Sequence, residues 1–149
     1  MKRFILSLSI VVLSLTAVAQ EQELSALFNF NVFYHTEQQR PYVETYLSFD
    51  AWTLNFVKGT DGQYRATVEI LLTATQGDSI VYVKKYDLNS PTIKDSTATN
   101  FNFLDLQRFF LNNGIYNLNL TVHDKNSPQE PISVSQKISV VFDAKKPSF

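Results

Sequence analysis

Two histidines, scattered turn aspartates and closely spaced tyrosines are the side chains that could give this chain a chemistry. His35 lies beside Glu37, and a histidine with a carboxylate can exchange protons or hold a metal ion. Their neighbours Thr36, Gln38, Gln39 and Arg40 are all polar, which also fits a solvated turn. His123-Asp124-Lys125-Asn126 puts hard oxygen donors at a strand end, of the kind calcium takes. Calcium needs six to eight oxygens, however, and nothing in the sequence brings Asp50, Asp61 or Asp78 to the same place. Aspartate and asparagine in turns ordinarily bond their own backbone. No serine sits in a Gly-x-Ser-x-Gly elbow, and the four glycines are too dispersed to cradle a phosphate. Glu44 and Glu69 fall on strand faces with no cleft implied between them. The residues thus assign no catalytic, cofactor or metal site, and the expectation is a domain without enzymatic activity.

Tyrosines are the better binding candidates. Tyr42 and Tyr46 alternate with Val43, Leu47 and Phe49, so one set must be less buried if the strand has a single core face. Exposed aromatic rings in such spacing form a platform for sugars or an apolar patch for a protein. Together with Trp52, the lone tryptophan, they make up the candidate contact surface. The expected partner is a protein or an adjacent domain, with carbohydrate as the alternative.

These side chains must be positioned by strands. Period-2 alternation runs through Phe28-Phe30-Val32, Val43-Thr45-Leu47-Phe49, and Trp52-Leu54-Phe56. It continues in one long strand from Tyr64 to Ala74, then in Ile80 to Leu88, Tyr116 to Val122, and Ile132 to Phe142. Turns are marked at Lys58–Gly62, Gln76–Ser79, Asn89-Ser90-Pro91 and Asn112-Asn113-Gly114. Between Phe101 and Leu111 the spacing is mixed, and predicts a strand with a short helical turn near Asp105. Seven to eight short strands with no long helix predict an all-β, immunoglobulin-like antiparallel sandwich, with a closed barrel as the competitor. Gly114-Ile115-Tyr116-Asn117-Leu118 favours the sandwich. It matches the tyrosine corner that opens a late strand of such domains, with Leu118 where an antibody domain carries cysteine.

Composition sets the setting. Lys2 and Arg3 precede an apolar run from Phe4 to Val18 that closes on Ala17-Val18-Ala19, the three parts of a secretory leader. The run is short for a membrane span. Residues 1–19 are therefore expected to be a signal peptide and 20–149 a single exported domain, in the periplasm, at the outer membrane or secreted. Removing Lys2 and Arg3 from the 13 basic residues leaves 11 against 14 acidic ones, a net charge of about −3. That argues against nucleic acid or an anionic membrane surface as partner. With no cysteine there are no disulfides, no thiolate chemistry and no lipid attachment at Gln20.

Three phrases carry a family resemblance: Pro41–Phe49; Lys85–Pro91 followed by Phe101–Asp105; and Asn113–Tyr116 leading to His123–Ser127. Together they resemble the N-terminal region of exported GWxTD-domain proteins of gram-negative bacteria, over roughly residues 24–143. The resemblance implies a β-sandwich at the front of a longer protein, or a shortened relative of one. It brings no functional residues with it. The Gly-Trp-x-Thr-Asp motif itself is absent, since Trp52 sits in Ala51-Trp52-Thr53-Leu54.

Overall fold

Alternating apolar residues become paired strands throughout the computed structural model, which describes residues 23–142. The expected leader, residues 1–19, lies outside the described residues, as does the segment from 143 onward. Nine strands follow one another: β1 (Ala26–His35), β2 (Arg40–Asp50), β3 (Val57–Lys58), β4 (Tyr64–Arg65), β5 (Thr67–Gln76), β6 (Ser79–Asn89), β7 (Asn102–Phe110), β8 (Gly114–Asp124) and β9 (Ile132–Val140). All pairings are antiparallel. One sheet has the order β1-β2-β7 and the other β6-β5-β8-β9, while β3 and β4 form a small separate ribbon. The chain changes sheet between β2 and β5, β6 and β7, and β7 and β8. The fold is therefore an all-β, immunoglobulin-like sandwich of seven long strands, not a closed barrel.

The core forms where the inner faces of the two sheets meet. Val43, Leu47 and Phe49 of β2 and Phe103 and Phe109 of β7 face Val68, Ile70 and Leu72 of β5 and Leu118, Leu120 and Val122 of β8, all buried. Phe49 stacks on Phe103 with ring centroids 5.3 Å apart. Each such side chain contributes roughly 1.5–3 kcal/mol when fully buried.

The two seams between the sheets differ in chemistry. On the β6/β7 side, Tyr82 stacks flat on Phe109 at 4.0 Å. Beside it the Tyr86 hydroxyl donates to Asp105, and Lys84 donates to Gln107. Burial, and then the Asp105 carboxylate, raise the Tyr86 hydroxyl pKa far above the ordinary tyrosine value. On the β1/β9 side the sheets part over an apolar groove of about 210 Å³, lined by Phe28, Leu47, Leu120, Ile132 and Val134 among others. Phe28, Phe30 and Val32 face inward as the alternation predicts, yet stay only partly buried because β1 is an edge strand beside that groove.

Three local expectations are corrected. The segment around Asp105 has no helical turn. It is continuous strand, with Phe103, Asp105, Gln107 and Phe109 facing inward. Polar residues belong there because they close the β6/β7 seam, and Leu104 and Leu106 point outward, which blurred the period. Trp52-Leu54-Phe56 is not a strand either. Ala51–Thr53 is a single 3-10 turn, closed by the Leu54 amide donating to the Ala51 carbonyl and the Thr53 hydroxyl donating to the Asp50 carbonyl. Here the chain must leave one sheet for the other. The long strand expected from Tyr64 is broken at Ala66, where β4 pairs with β3 and β5 joins the main sheet. Asn112-Asn113-Gly114 is a turn as expected, and it carries the chain from one sheet to the other, since β7 and β8 are not paired.

The tyrosine corner is present. Tyr116 is buried, and its hydroxyl donates to the Asn112 carbonyl at 2.8 Å, four residues upstream.

Candidate binding face

Strand register lays the outward side chains of β1, β2 and β7 in rows across the three-stranded sheet. His35 opposes Arg40 at the hairpin end. Next come Phe33, Tyr42 and Phe110 abreast, then Asn31, Glu44 and Arg108, then Asn29, Tyr46 and Leu106, and then Leu27, Ser48 and Leu104. The outer face of a sheet with one core is ordinarily polar. This one is about half apolar: Leu27 and Leu104 are about three-quarters exposed, and Leu106 and Phe33 are also open to solvent.

The middle of the face is held by a buried carboxylate. Glu44 is only 6% exposed, although it points away from the core. It accepts one hydrogen bond from the Tyr46 hydroxyl and one from Arg108 Nε. The Tyr46 bond lowers its pKa, burial opposes this, and the Arg108 contacts reinforce the lowering. The same contact, and then burial, raise the Tyr46 hydroxyl. Tyr46 is thereby a clamp on Glu44 and not a free platform ring.

Tyr42 has a different setting. It stacks on Phe33 at 5.4 Å and meets Phe110 and His35 edge-on at 6.2 and 6.3 Å. The Arg40 guanidinium lies 4.4 Å from the Phe110 ring centroid, within cation–π range. A cavity of about 330 Å³ opens here, lined by His35, Tyr42, Arg108, Phe109 and Phe110. His35 Nδ1 accepts the Gln38 amide hydrogen at 3.3 Å, while Glu37 is exposed at the hairpin tip. His35 therefore belongs to the aromatic cluster. Tyr42 and Tyr46 do share the face, as the alternation predicts, but Glu44 separates their roles.

Trp52 is not part of this surface. It is 56% exposed in the 3-10 turn, and lines a separate cleft of about 190 Å³ with Leu54, Asn55, Ser127 and Pro128. The strand that would have carried it onto the sheet has already ended.

The Asp124 constellation is structural. The buried Asp124 carboxylate accepts hydrogen bonds from the Asn55 amide (2.8 Å) and side chain (3.0 Å) and from the Asn126 amide (2.9 Å). Asn126 returns a bond to the Asn55 carbonyl at 2.9 Å. This carboxylate pins the crossover after β2 to the β8–β9 loop, and Lys125 is paired with Asp87. Asp50 and Asp61 are likewise engaged locally, by Ser25 and by Arg65 and Gln63. Among the described residues no group of three or more His, Asp or Glu is disposed to hold a metal ion. His123 lies on the outer face of the other sheet, opposite Glu69, so the two histidines do not meet.

Sequence reasoning passed over Phe33, Arg40, Arg108 and Phe110. The 36–39 turn gave a signal for Phe33 opposite Tyr42, because a hairpin pairs residues symmetrically about its loop. Arg108 and Phe110 reach the site through a non-local pairing that one strand's alternation cannot reveal.

No family model matches the chain, and no curated protein matches it. Among solved structures it is similar to an ApaA protein from Bordetella pertussis, with a TM-score of 0.39 and 12% identity over 78% of this chain and 93% of that one.

Proposed function

We propose that this chain is an exported, non-catalytic envelope domain that works as a structural or protein-contact module through the outer face of β1-β2-β7. One observation carries the reading: Leu27, Leu104 and Leu106 are left exposed on a sheet face that has no core to build. Apolar side chains grouped on a sheet surface mark a docking area more than they serve stability. The separation of His35 from His123 onto opposite sides of the sandwich supports a role without acid–base chemistry. The leader pattern of residues 1–19 supports export, and the GWxTD resemblance supports a neighbouring domain or envelope protein as the partner. No helix among the described residues is long and apolar enough to cross a membrane.

In-cell photocrosslinking tests the reading. A photoreactive residue at Leu104 or Leu106 should give discrete protein adducts, and one at Lys137, on the outer face of the other sheet, should not. Equal labelling from both faces, or none from Leu104 and Leu106, rejects this face as the contact. Recovery of the protein with an N-terminus at Gln20 outside the cytoplasm is the expected result for export.

A further inference from the structure

We infer that the hairpin end of this face, around Arg40, Tyr42, Phe110 and Arg108, binds a carboxylate-bearing sugar: a uronic acid unit of an acidic glycan. This site lies on the same outer face as the protein-contact reading but at its other end, with the Leu106 row two rows and the Leu104 row three rows along the strands from Tyr42, the latter about 20 Å away.

In the row Phe33-Tyr42-Phe110, Tyr42 stacks on Phe33 and Arg40 lies over Phe110, and the ring surface that stays open, with Phe33 37% exposed, is where the C–H groups of a pyranose ring can pack. A cavity of about 330 Å³ beside it falls at the lower end of small-ligand clefts. The row is flanked by a guanidinium on each side. Arg40 precedes it on β2 and has no carboxylate partner among the described residues. Arg108 lies on its other side, two residues before Phe110 on β7, and among the described residues only its Nε is engaged, by Glu44. Its two terminal nitrogens remain to donate as a planar fork, which matches a carboxylate. Glu44 is itself an anion that shares Arg108, so the charge left for a ligand carboxylate comes first from Arg40 and then from the terminal nitrogens of Arg108. In neutral His35, the ring nitrogen that accepts from Gln38 leaves the other to donate to a sugar hydroxyl.

Both halves of the site are needed to choose the ligand. Aromatic rings alone would suit a neutral sugar, and arginines alone would suit any acidic peptide. An overall charge near −3 for residues 20–149 means that acidic polymers are not attracted to the whole protein, so binding must be local. Tyr46 plays no part, being clamped on Glu44.

Affinity electrophoresis of the purified protein tests this in gels containing polygalacturonate, alginate, neutral hydroxyethylcellulose or poly-glutamate. Retardation is expected with at least one of the two uronate polymers and not with the neutral polymer or the peptide. Arg40→Gln and Tyr42→Ala should each weaken it about tenfold or more, as loss of one charge-assisted bond or one stacking ring does. Lys137→Gln should leave it unchanged. Arg40 is exposed and in no ion pair among the described residues, so that variant reports on binding even if Tyr42→Ala folds poorly. Retardation by neither uronate polymer, equal retardation by poly-glutamate, or insensitivity to Arg40→Gln would overturn the inference.

Discussion

Replacing Tyr116 by phenylalanine removes one oxygen and tests whether the corner between β7 and β8 is held by a hydrogen bond or by packing alone. The hydroxyl donates to the Asn112 carbonyl at 2.8 Å, and the ring is 96% removed from solvent. A buried hydrogen bond of this kind contributes about 1 kcal/mol, rising toward roughly 3 kcal/mol where the abandoned partner cannot find water. Asn112 is exposed, so water can take its carbonyl, and the lower figure applies. Tyr116→Phe should thus cost about 1 kcal/mol, which for a domain near this size lowers the melting temperature by about 4 °C. Urea denaturation followed by far-ultraviolet circular dichroism is the assay, because Trp52 is too exposed to report on the core. The midpoint should fall while the slope stays constant. A Cβ added at Gly114 would come within 2.6 Å of Gln76 Nε2 and 3.3 Å of Tyr116 Cε2, contacts that the phenylalanine variant keeps, so Gly114→Ala should cost about the same in both backgrounds. A loss below about 0.3 kcal/mol for Tyr116→Phe would refute the hydrogen-bonded corner and leave only a well-packed ring.

Asp124→Ala leaves three loop N–H donors without their acceptor, and should cost about 2–4 kcal/mol in equilibrium unfolding, with addition of calcium changing neither protein. Glu44 has a lowered folded-state pKa, so its stabilisation is present above the ordinary carboxylate range and lost as pH falls through the folded value. Glu44→Gln should therefore flatten the acid limb of a stability-versus-pH curve. Tyr86 has the opposite sign. Its raised pKa gives stability that is complete below about pH 10 and declines as the unfolded chain ionises above it, and Tyr86→Phe should remove that alkaline decline. Leu104→Ser with Leu106→Ser should shift stability by less than about 0.5 kcal/mol while abolishing crosslinks from a photoreactive residue placed at Leu27 on the same face.

The alternation of single strands was enough to place Val43, Leu47 and Phe49 inside and Tyr42 and Tyr46 outside, because side chains on an extended backbone can only point two ways. The Gly114–Leu118 phrase was enough to place the tyrosine corner, whose bond spans four residues. Where a segment obeyed two periods, as around Asp105, local reasoning failed, because inward polar residues there answer to Tyr86 and Lys84 on another strand. Trp52 failed likewise, since nothing in its neighbours announces that the chain must change sheets.

What the sequence alone determined was therefore local: strand faces and turns. Which residues share a surface was decided by pairing between β2 and β7, more than fifty residues apart, which brings Arg108 to Glu44 and Phe110 to Tyr42. Such a register is chosen by the packing of the whole sandwich, and no single strand contains it.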